Sequence, residues 1–224
     1  PVKTLRSQMF EAIKLTNPAF YKASRRDLTT ETIRLLEEVG IPEPKTRLSA
    51  YPHQLSGGMS QRAMIAMMLA GSPALLIADE PTTALDVTIQ AQILRLLRGL
   101  SKERGMAIIL ITHDLAVIAE TCDRLAVMYC GRIVETGDVA SVFSSPSHPY
   151  TRGLLNSRPR PDQGDFQLMP IGGTVPSPFD LPSGCAFAPR CNKVSEACEK
   201  AVPPFDFTGD RGVACFHPVA ATET

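Results

Sequence analysis

The chain has 224 residues, of which 44% are hydrophobic and 21% charged, and 23 basic side chains balance 23 acidic ones. This composition is ordinary for a soluble globular protein, and the zero net charge excludes a bulk attraction to nucleic acid or anionic lipid. The longest apolar run, 63–70, is far shorter than the ~20 residues of a membrane-spanning helix. The chain opens at Pro1 without a secretory leader, so we expect a fragment or a processed chain.

The first 70 residues are predicted to be mostly helical. Between 27 and 39, apolar residues recur on one helical face, and Gly40 and Pro42 then stop the helix. Ser56 is a natural N-cap for a further helix over 59–70. Because that helix is apolar nearly all round, we expect it to be buried.

Strands and helices alternate in the next part of the chain. Residues 75–78 predict a strand buried on both faces of a parallel sheet, and an amphipathic helix follows it. Residues 106–111 predict a second strand, followed by a helix from Asp114. Two strands joined by a turn at Cys130-Gly131 then predict a hairpin. This alternation indicates an α/β fold with right-handed crossovers.

The composition changes after about residue 144. From there to Pro204 the chain is rich in proline and has no long periodic segment, which predicts a second, loop-dominated region. Such a region is hard to fold by a hydrophobic core alone. The four cysteines of the tail, Cys185, Cys191, Cys198 and Cys215, offer a way to staple it together.

Two adjacent carboxylates, Asp79 and Glu80, end the strand predicted at 75–78. In open α/β sheets ligands bind outside the carboxyl ends of the strands. There an Asp can hold Mg²⁺, usually through water, and a neighbouring Glu can act as a general base on an attacking water. His113 ends the next predicted strand, and we expect it to face the same crevice as Glu80, where it can contact a phosphate or orient the water.

A glycine turn precedes these carboxylates in the chain. Ser56, Gly57 and Gly58 open a helix with bare backbone N–H groups, and both the amides and the helix dipole favour an anion there. Glycine lets a phosphate approach closely because it has no Cβ.

These motifs together resemble the ATP-binding domain of ABC-type ATPases. Leu55-Ser56-Gly57-Gly58-Met59-Ser60-Gln61-Arg62 resembles the signature segment, and Leu75-Leu76-Ile77-Ala78-Asp79-Glu80 resembles Walker B. Pro81-Thr82-Thr83-Ala84-Leu85-Asp86 resembles the D-loop, and Ile111-Thr112-His113-Asp114 resembles the switch-histidine segment. No G-x-x-x-x-G-K-[ST] phosphate loop occurs in the 224 residues, so we expect a chain that lacks the Walker A portion and binds ATP weakly by itself.

Two further segments resemble the ATPases of peptide and nickel importers. Tyr51-Pro52-His53-Gln54 precedes the signature, and His148-Pro149-Tyr150-Thr151-Arg152-Gly153-Leu154-Leu155 is similar to the C-terminal extension of oligopeptide and dipeptide importer ATPases. The resemblance implies a partial ABC-type P-loop NTPase fold over 1–143, with a helical subdomain at about 1–70 and a parallel-sheet core at about 71–143. It also implies an importer-type extension over 144–224.

The resemblance assigns a role to each motif residue. Glu80 is the catalytic base, Asp79 positions Mg²⁺, His113 senses the γ-phosphate and Asp86 shapes the dimer seam. Residues that complete the nucleotide site of the opposite subunit are Ser56, Gly57, Gly58 and Gln61. The implied partners are a second, identical or paralogous ATPase subunit, two membrane permease subunits and, indirectly, an extracytoplasmic solute-binding protein, but not nucleic acid. The implied location is the cytoplasmic face of a bacterial inner membrane.

The tail cysteines follow the pattern C-x5-C-x6-C-x16-C. Paired C-x2-C knuckles of a zinc ribbon are absent, and the spacing is not that of a bacterial ferredoxin. The tail is similar to that of the peptide importers, which implies a [4Fe-4S] cluster on Cys185, Cys191, Cys198 and Cys215. A structural zinc and free thiols remain alternatives, with His217 as a possible substitute ligand.

The leading prediction is the ATP-hydrolysing subunit of an ABC importer for peptides. One alternative is a regulatory or structural module whose cysteine tail is the working part. A nickel importer is another, because the substrate is set mainly by other subunits. A soluble ABC ATPase that acts on nucleic acid or ribosomes is disfavoured by the neutral charge.

Overall fold

The computed structural model describes residues 2–157 and 170–219. The chain divides into two compact units, Pro1–His113 and Asp114–Thr224. The first unit contains α1 (Leu5–Thr16), α2 (Arg25–Glu38), α3 (Pro44–Arg47), α4 (Gly57–Leu69), β1 (Leu75–Asp79), α5 (Val87–Arg104) and β2 (Ala107–Ile111). The second contains α6 (Leu115–Thr121), β3 (Arg124–Tyr129), β4 (Arg132–Asp138), α7 (Val139–Ser144), α8 (Pro149–Asn156), α9 (Glu196–Lys200), β5 (Asp206–Thr208) and β6 (Arg211–Val213).

The core of the first unit lies between the helices. α1, α2 and α4 pack on one another, and side chains from all three are completely buried together with residues of α5; they include Met9, Ile13, Leu35, Leu36, Leu69 and Ile93. At one side of this core the Arg104 guanidinium binds both carboxylate oxygens of Glu38, at 2.6 and 2.7 Å. This two-point contact ties the end of α5 to the end of α2.

β1 and β2 form a parallel pair in which Asp79 lies opposite Ile111. The prediction of a strand buried on both faces is wrong, because Leu75 and Ile77 are 47% and 61% exposed while Leu76 and Ala78 are buried. Side chains alternate between the faces of a strand, and in the described residues only one face of β1 packs against the helical core. Similarly, α4 is not buried all round, since Met64 and Met68 face solvent.

The second unit is built on an antiparallel sheet in the order β3-β4-β6-β5. Its β3–β4 hairpin confirms the prediction, and the two turn residues Cys130 and Gly131 both have positive φ, 46° and 76°. Two consecutive positive φ values are the requirement of the type I′ turn that closes two-residue hairpins. The two tail strands β5 and β6, which extend this sheet, were not predicted.

A buried carboxylate anchors the second unit. Glu135 on β4 is fully buried and accepts hydrogen bonds from the backbone amides of Ser147 and His148, at 2.8 and 2.9 Å. The Arg211 guanidinium on β6 also donates to Glu135, at 2.9 Å, and to the Ser145 carbonyl. The start of the His148–Leu155 segment is therefore fixed to the tail strand through one side chain.

The burial of His148 predicts a pH-dependent stability. The side chain is 1% exposed, and desolvation lowers its pKa to about 4 from 6.5, although the negative charge of Glu135 opposes the shift. Between pH 6.5 and 4 the unfolded chain binds a proton that the folded chain does not. The free energy of unfolding therefore decreases as the pH falls from 6.5 to 4, and the loss reaches about 2–3 kcal/mol near pH 4. Above pH 6.5 this contribution to stability is fully present.

Urea unfolding at pH 7 and pH 4.5 measures this effect when wild type is compared with His148→Asn. Asn retains a side-chain oxygen that can replace His148 Nδ1, which accepts from the Tyr150 amide at 3.0 Å. Between pH 7 and pH 4.5, we expect the free energy of unfolding to fall less in His148→Asn than in wild type, by about 2–3 kcal/mol. An equal loss in both proteins would contradict the assignment.

Candidate functional site

Glu80 and His113 meet at the carboxyl ends of the parallel strands. The pairing of Asp79 with Ile111 brings the residues after both strands together, and the Glu80 amide donates to the Ile111 carbonyl at 2.9 Å. His113 Nδ1 lies 2.7 Å from Glu80 Oε1. The structure thus brings together two predicted site residues that are 33 positions apart in the chain.

The carboxylate of Glu80 is held on both oxygens. Thr83 Oγ1 donates to Oε2 at 2.8 Å, while His113 is bonded to Oε1. The hydrogen bond with His113, followed by the bond from Thr83, lowers the pKa of Glu80. The carboxylate is therefore kept ionised, as a proton acceptor must be at neutral pH.

The backbone of Glu80 is in an uncommon conformation. Its φ is 47°, in the left-handed region that non-glycine residues rarely adopt. Such conformations persist where surrounding contacts hold them, and they cluster at functional sites. Here the amide of Glu80 binds Ile111 and its carbonyl accepts from the Thr83 amide at 3.2 Å, so the chain turns sharply as it leaves β1.

Asp79 is the last residue of β1 and is exposed. Among the residues that the structure describes, no group of three or more His, Cys, Asp or Glu side chains is arranged to hold a metal ion. Mg²⁺ at nucleotide sites usually takes one or two carboxylates and completes its shell with water and phosphate oxygens. A single exposed carboxylate at this position fits that donor set.

The signature segment forms the start of α4. Ser56 is its N-cap, and its hydroxyl accepts from the Met59 amide at 3.3 Å, as predicted, although the helix begins at Gly57 rather than residue 59. A Cβ on Gly58 would lie 2.7 Å from the Ile89 side chain. Glycine at this position is thus also required by the packing of α4 on α5, in addition to the predicted role in phosphate approach. Gln61 lies on α4 and is half-buried.

Asp86 has a local role in the structure. Its carboxylate caps α5 by accepting from the Ile89 amide at 3.0 Å. Arg62, the last residue of the signature, donates to the Val39 carbonyl at 2.6 Å and to Gln92 at 3.2 Å. Through Arg62 the signature helix is bonded to the end of α2 and to α5.

The four tail cysteines line one small pocket in the second unit, together with His148 and His217. Burial raises the pKa of Cys185, Cys191 and Cys215, the last to about 11, so these thiols are protonated when nothing binds them. They are not arranged to hold a single metal ion, and the predicted metal site is therefore not confirmed. All six cysteines are unpaired thiols.

Backbone and side-chain contacts shape this pocket. The amides of Lys193 and His217 donate to the sulfurs of Cys191 and Cys215, at 3.4 and 3.3 Å. A Cβ on Gly184 would lie 2.2 Å from the Cys198 carbonyl oxygen, so only glycine fits beside the backbone of α9. His217 Nε2 bonds to the Ser195 hydroxyl at 2.7 Å, an interaction that sequence reasoning missed.

Two family models match the chain. One, described as "ABC transporter", matches residues 3–83, and the other, "Oligopeptide/dipeptide transporter, C-terminal region", matches residues 134–198. Because the first match begins at residue 3, the expectation of a missing Walker A portion is not confirmed.

Similar proteins agree with both matches. The dipeptide transport ATP-binding protein DppD of Haemophilus influenzae is 50% identical over 98% of this chain and 65% of its own length. The oligopeptide transport ATP-binding protein OppD of Escherichia coli is 48% identical over 98% of this chain and 64% of its own. The chain thus spans slightly less than two thirds of the length of these curated relatives.

Solved structures show the same fold. The ATP-binding cassette MJ0796, in a dimeric post-hydrolysis state bound to ADP and Pi, is 27% identical with a TM-score of 0.52, over 62% of this chain and 58% of that one. The cbiO1 protein of Clostridium perfringens is 30% identical with a TM-score of 0.53, over 63% and 53%.

The fold is therefore an ABC ATPase-like α/β fold, with parallel and antiparallel sheets. In sequence, the chain is similar to dipeptide and oligopeptide transport ATP-binding proteins. In the described part of the chain, no helix has the length and apolar character that crossing a membrane requires.

Proposed function

We propose that this chain is part of the ATP-hydrolysing subunit of an ABC importer for peptides. The observation that carries the proposal is the Glu80–His113 pair, 2.7 Å apart at the end of a parallel strand pair, in a chain about 50% identical to a dipeptide transport ATP-binding protein. A carboxylate at this edge of the sheet is where a water-activating base is expected.

In the proposed mechanism, Glu80 accepts a proton from the water whose oxygen attacks the γ-phosphorus of ATP. The bond from that phosphorus to the bridging oxygen of ADP breaks, and phosphate leaves. His113 Nδ1 holds Glu80 Oε1 and fixes the direction of the carboxylate. Bound Mg²⁺ would neutralise charge on the phosphate oxygens, and Asp79 is the residue that would hold it.

The remaining motif residues act across a subunit boundary in this proposal. Ser56, Gly57, Gly58 and Gln61 complete the ATP site of a second, identical or paralogous ATPase subunit, and Asp86 lies at the seam. The helical segment over about 1–70 contacts the membrane permeases. Residues 144–224 form the importer-type C-terminal extension. A solute-binding protein delivers substrate from outside, and the ATPase lies on the cytoplasmic face of the inner membrane.

Purification of the whole tagged protein from its native membranes tests this function. We expect two polytopic membrane proteins to copurify, and we expect dipeptides or longer peptides to stimulate ATP hydrolysis in the reconstituted complex. Stimulation by nickel but not by peptides would favour the nickel-importer alternative. Copurification of ribosomes or RNA without membrane subunits would overturn the proposal.

For the tail, we propose an iron–sulfur cluster on Cys185, Cys191, Cys198 and Cys215. What favours it is that all four cysteines line one pocket, and that backbone amides donate to the sulfurs of two of them, Cys191 and Cys215. Four thiolates are the ligand set of a [4Fe-4S] cluster. When bound, the cluster would staple the tail and supply a redox-active group.

Anaerobic purification of the whole protein tests the cluster. We expect broad visible absorption and about four iron and four sulfide per chain, both lost in Cys191→Ser. Cys122→Ser serves as a control, since Cys122 does not line the pocket. One zinc per chain without iron would support the zinc alternative. If neither iron nor zinc is found, the four cysteines are free thiols and the cluster proposal fails.

A further inference from the structure

Thr83 is bonded to Glu80 twice. Its amide donates to the Glu80 carbonyl at 3.2 Å, and its hydroxyl donates to Glu80 Oε2 at 2.8 Å. The first bond closes a tight turn directly after β1, and this turn places the hydroxyl beside the carboxylate. The position of the hydroxyl is therefore set by the backbone of Glu80 itself.

The Glu80 carboxylate needs such a restraint. The side chains of Glu80 and His113 are 36% and 83% exposed, so neither is fully enclosed by its neighbours. With one oxygen bonded to His113 alone, the carboxylate could still rotate about its terminal torsion, which is broad for Glu. A second bond on the other oxygen fixes the plane of the carboxylate.

We propose that Thr83 is a positioning residue, whose hydroxyl works with His113 to hold the carboxylate of Glu80 in the plane from which it accepts the proton of the attacking water. The inference rests on the proposed function and adds a residue to it. Sequence reasoning placed Thr83 only as part of the Pro81–Asp86 loop. A hydroxyl three residues after a carboxylate could have suggested the contact, because that spacing suits a turn.

The test uses the whole protein in its transporter complex and three variants. Thr83→Val removes the hydroxyl and keeps the shape, and Thr83→Ser keeps the hydroxyl. Thr208→Val is the matched control, because it makes the same substitution at an exposed position on β5, outside every motif. We expect Thr83→Val to lower kcat about tenfold with KM for ATP unchanged, whereas Thr83→Ser and Thr208→Val stay near wild type.

Two kinetic readouts separate positioning from a merely structural effect. A structural fault would raise KM for ATP or lower activity in Thr83→Ser as well. Loss of the restraint on the Glu80 carboxylate should instead lower kcat alone, and the hydroxyl of Thr83→Ser should restore it.

The results separate a failure of the proposed Thr83 role from a failure of the proposed ATPase function. If Thr83→Val keeps the wild-type kcat while Glu80→Gln is inactive, the inference is overturned and the ATPase function stands. An equal loss in Thr83→Ser also overturns it, because the hydroxyl would then not be the active feature. If Glu80→Gln hydrolyses ATP like wild type, the proposed function itself fails.

Discussion

Glu80→Gln is expected to reduce ATP hydrolysis by the whole protein about 10²–10⁴-fold, because the amide cannot accept the proton of the attacking water. ATP binding should persist, since Gln is nearly isosteric and removes a negative charge from the neighbourhood of the phosphates. Phosphate release in single-turnover assays, measured beside nucleotide affinity, separates the two effects.

Glu103→Gln is the matched control for this change. It makes the same charge substitution at an exposed position on α5, and we expect activity close to wild type. Hydrolysis by Glu80→Gln within threefold of wild type would sink the assignment of Glu80 as the base.

Glu135→Ala should have the largest effect on stability, lowering the free energy of unfolding by about 3–5 kcal/mol. Removing one partner of a buried, hydrogen-bonded ion pair leaves the other groups uncompensated. Here the amides of Ser147 and His148 lose their acceptor, and the Arg211 guanidinium loses its counter-charge. Urea unfolding followed by circular dichroism gives the difference directly.

An exposed ion pair on α9 provides the contrast. Glu196 and Lys200 also form a salt bridge, but both side chains are more than two thirds exposed, at 77% and 71%. We expect Glu196→Ala to cost less than about 1 kcal/mol. Similar losses for the two variants would show that Glu135 does not anchor the second unit.

Much of the fold of the first unit was predictable because its signals are local. The Ser56 cap, the amphipathic pattern of α5 and the apolar runs of β1 and β2 each determine an element from neighbouring residues. The burial of β1 was not predictable, because an apolar run does not show how many of its faces other elements will cover.

Contacts distant in sequence account for most of what was missed. Strands β5 and β6 have three residues each, too few to show an alternating pattern. β6 pairs with β4, where Gly212 lies opposite Thr136 and Val213 opposite Glu135, and β5 pairs with β6. Likewise, the sequence around Glu135 indicates a surface position on a hairpin. In the structure, Arg211 and the turn before α8 surround this carboxylate.

The candidate site divides in the same way. The positions of Asp79, Glu80 and His113 could be predicted because each lies at or just after the carboxyl end of a strand, and parallel strands bring such positions to one edge. The second role of Gly58, against Ile89, could not, because it depends on how α4 and α5 pack. The two hydrogen bonds to the Glu80 carboxylate, with His113 and from Thr83, could not be predicted either, because they depend on the geometry of the turn after β1.

The parallel register of β1 and β2 also constrains which length changes the chain can accept. Additional residues in the crossover between the strands would be absorbed at the surface of a loop. Deleting one residue from Ala107–Ile111 would instead shift His113 by about 3.3 Å and turn its side chain to the opposite face. Insertions and deletions in natural variants should therefore collect in the connection and spare the five-residue strands.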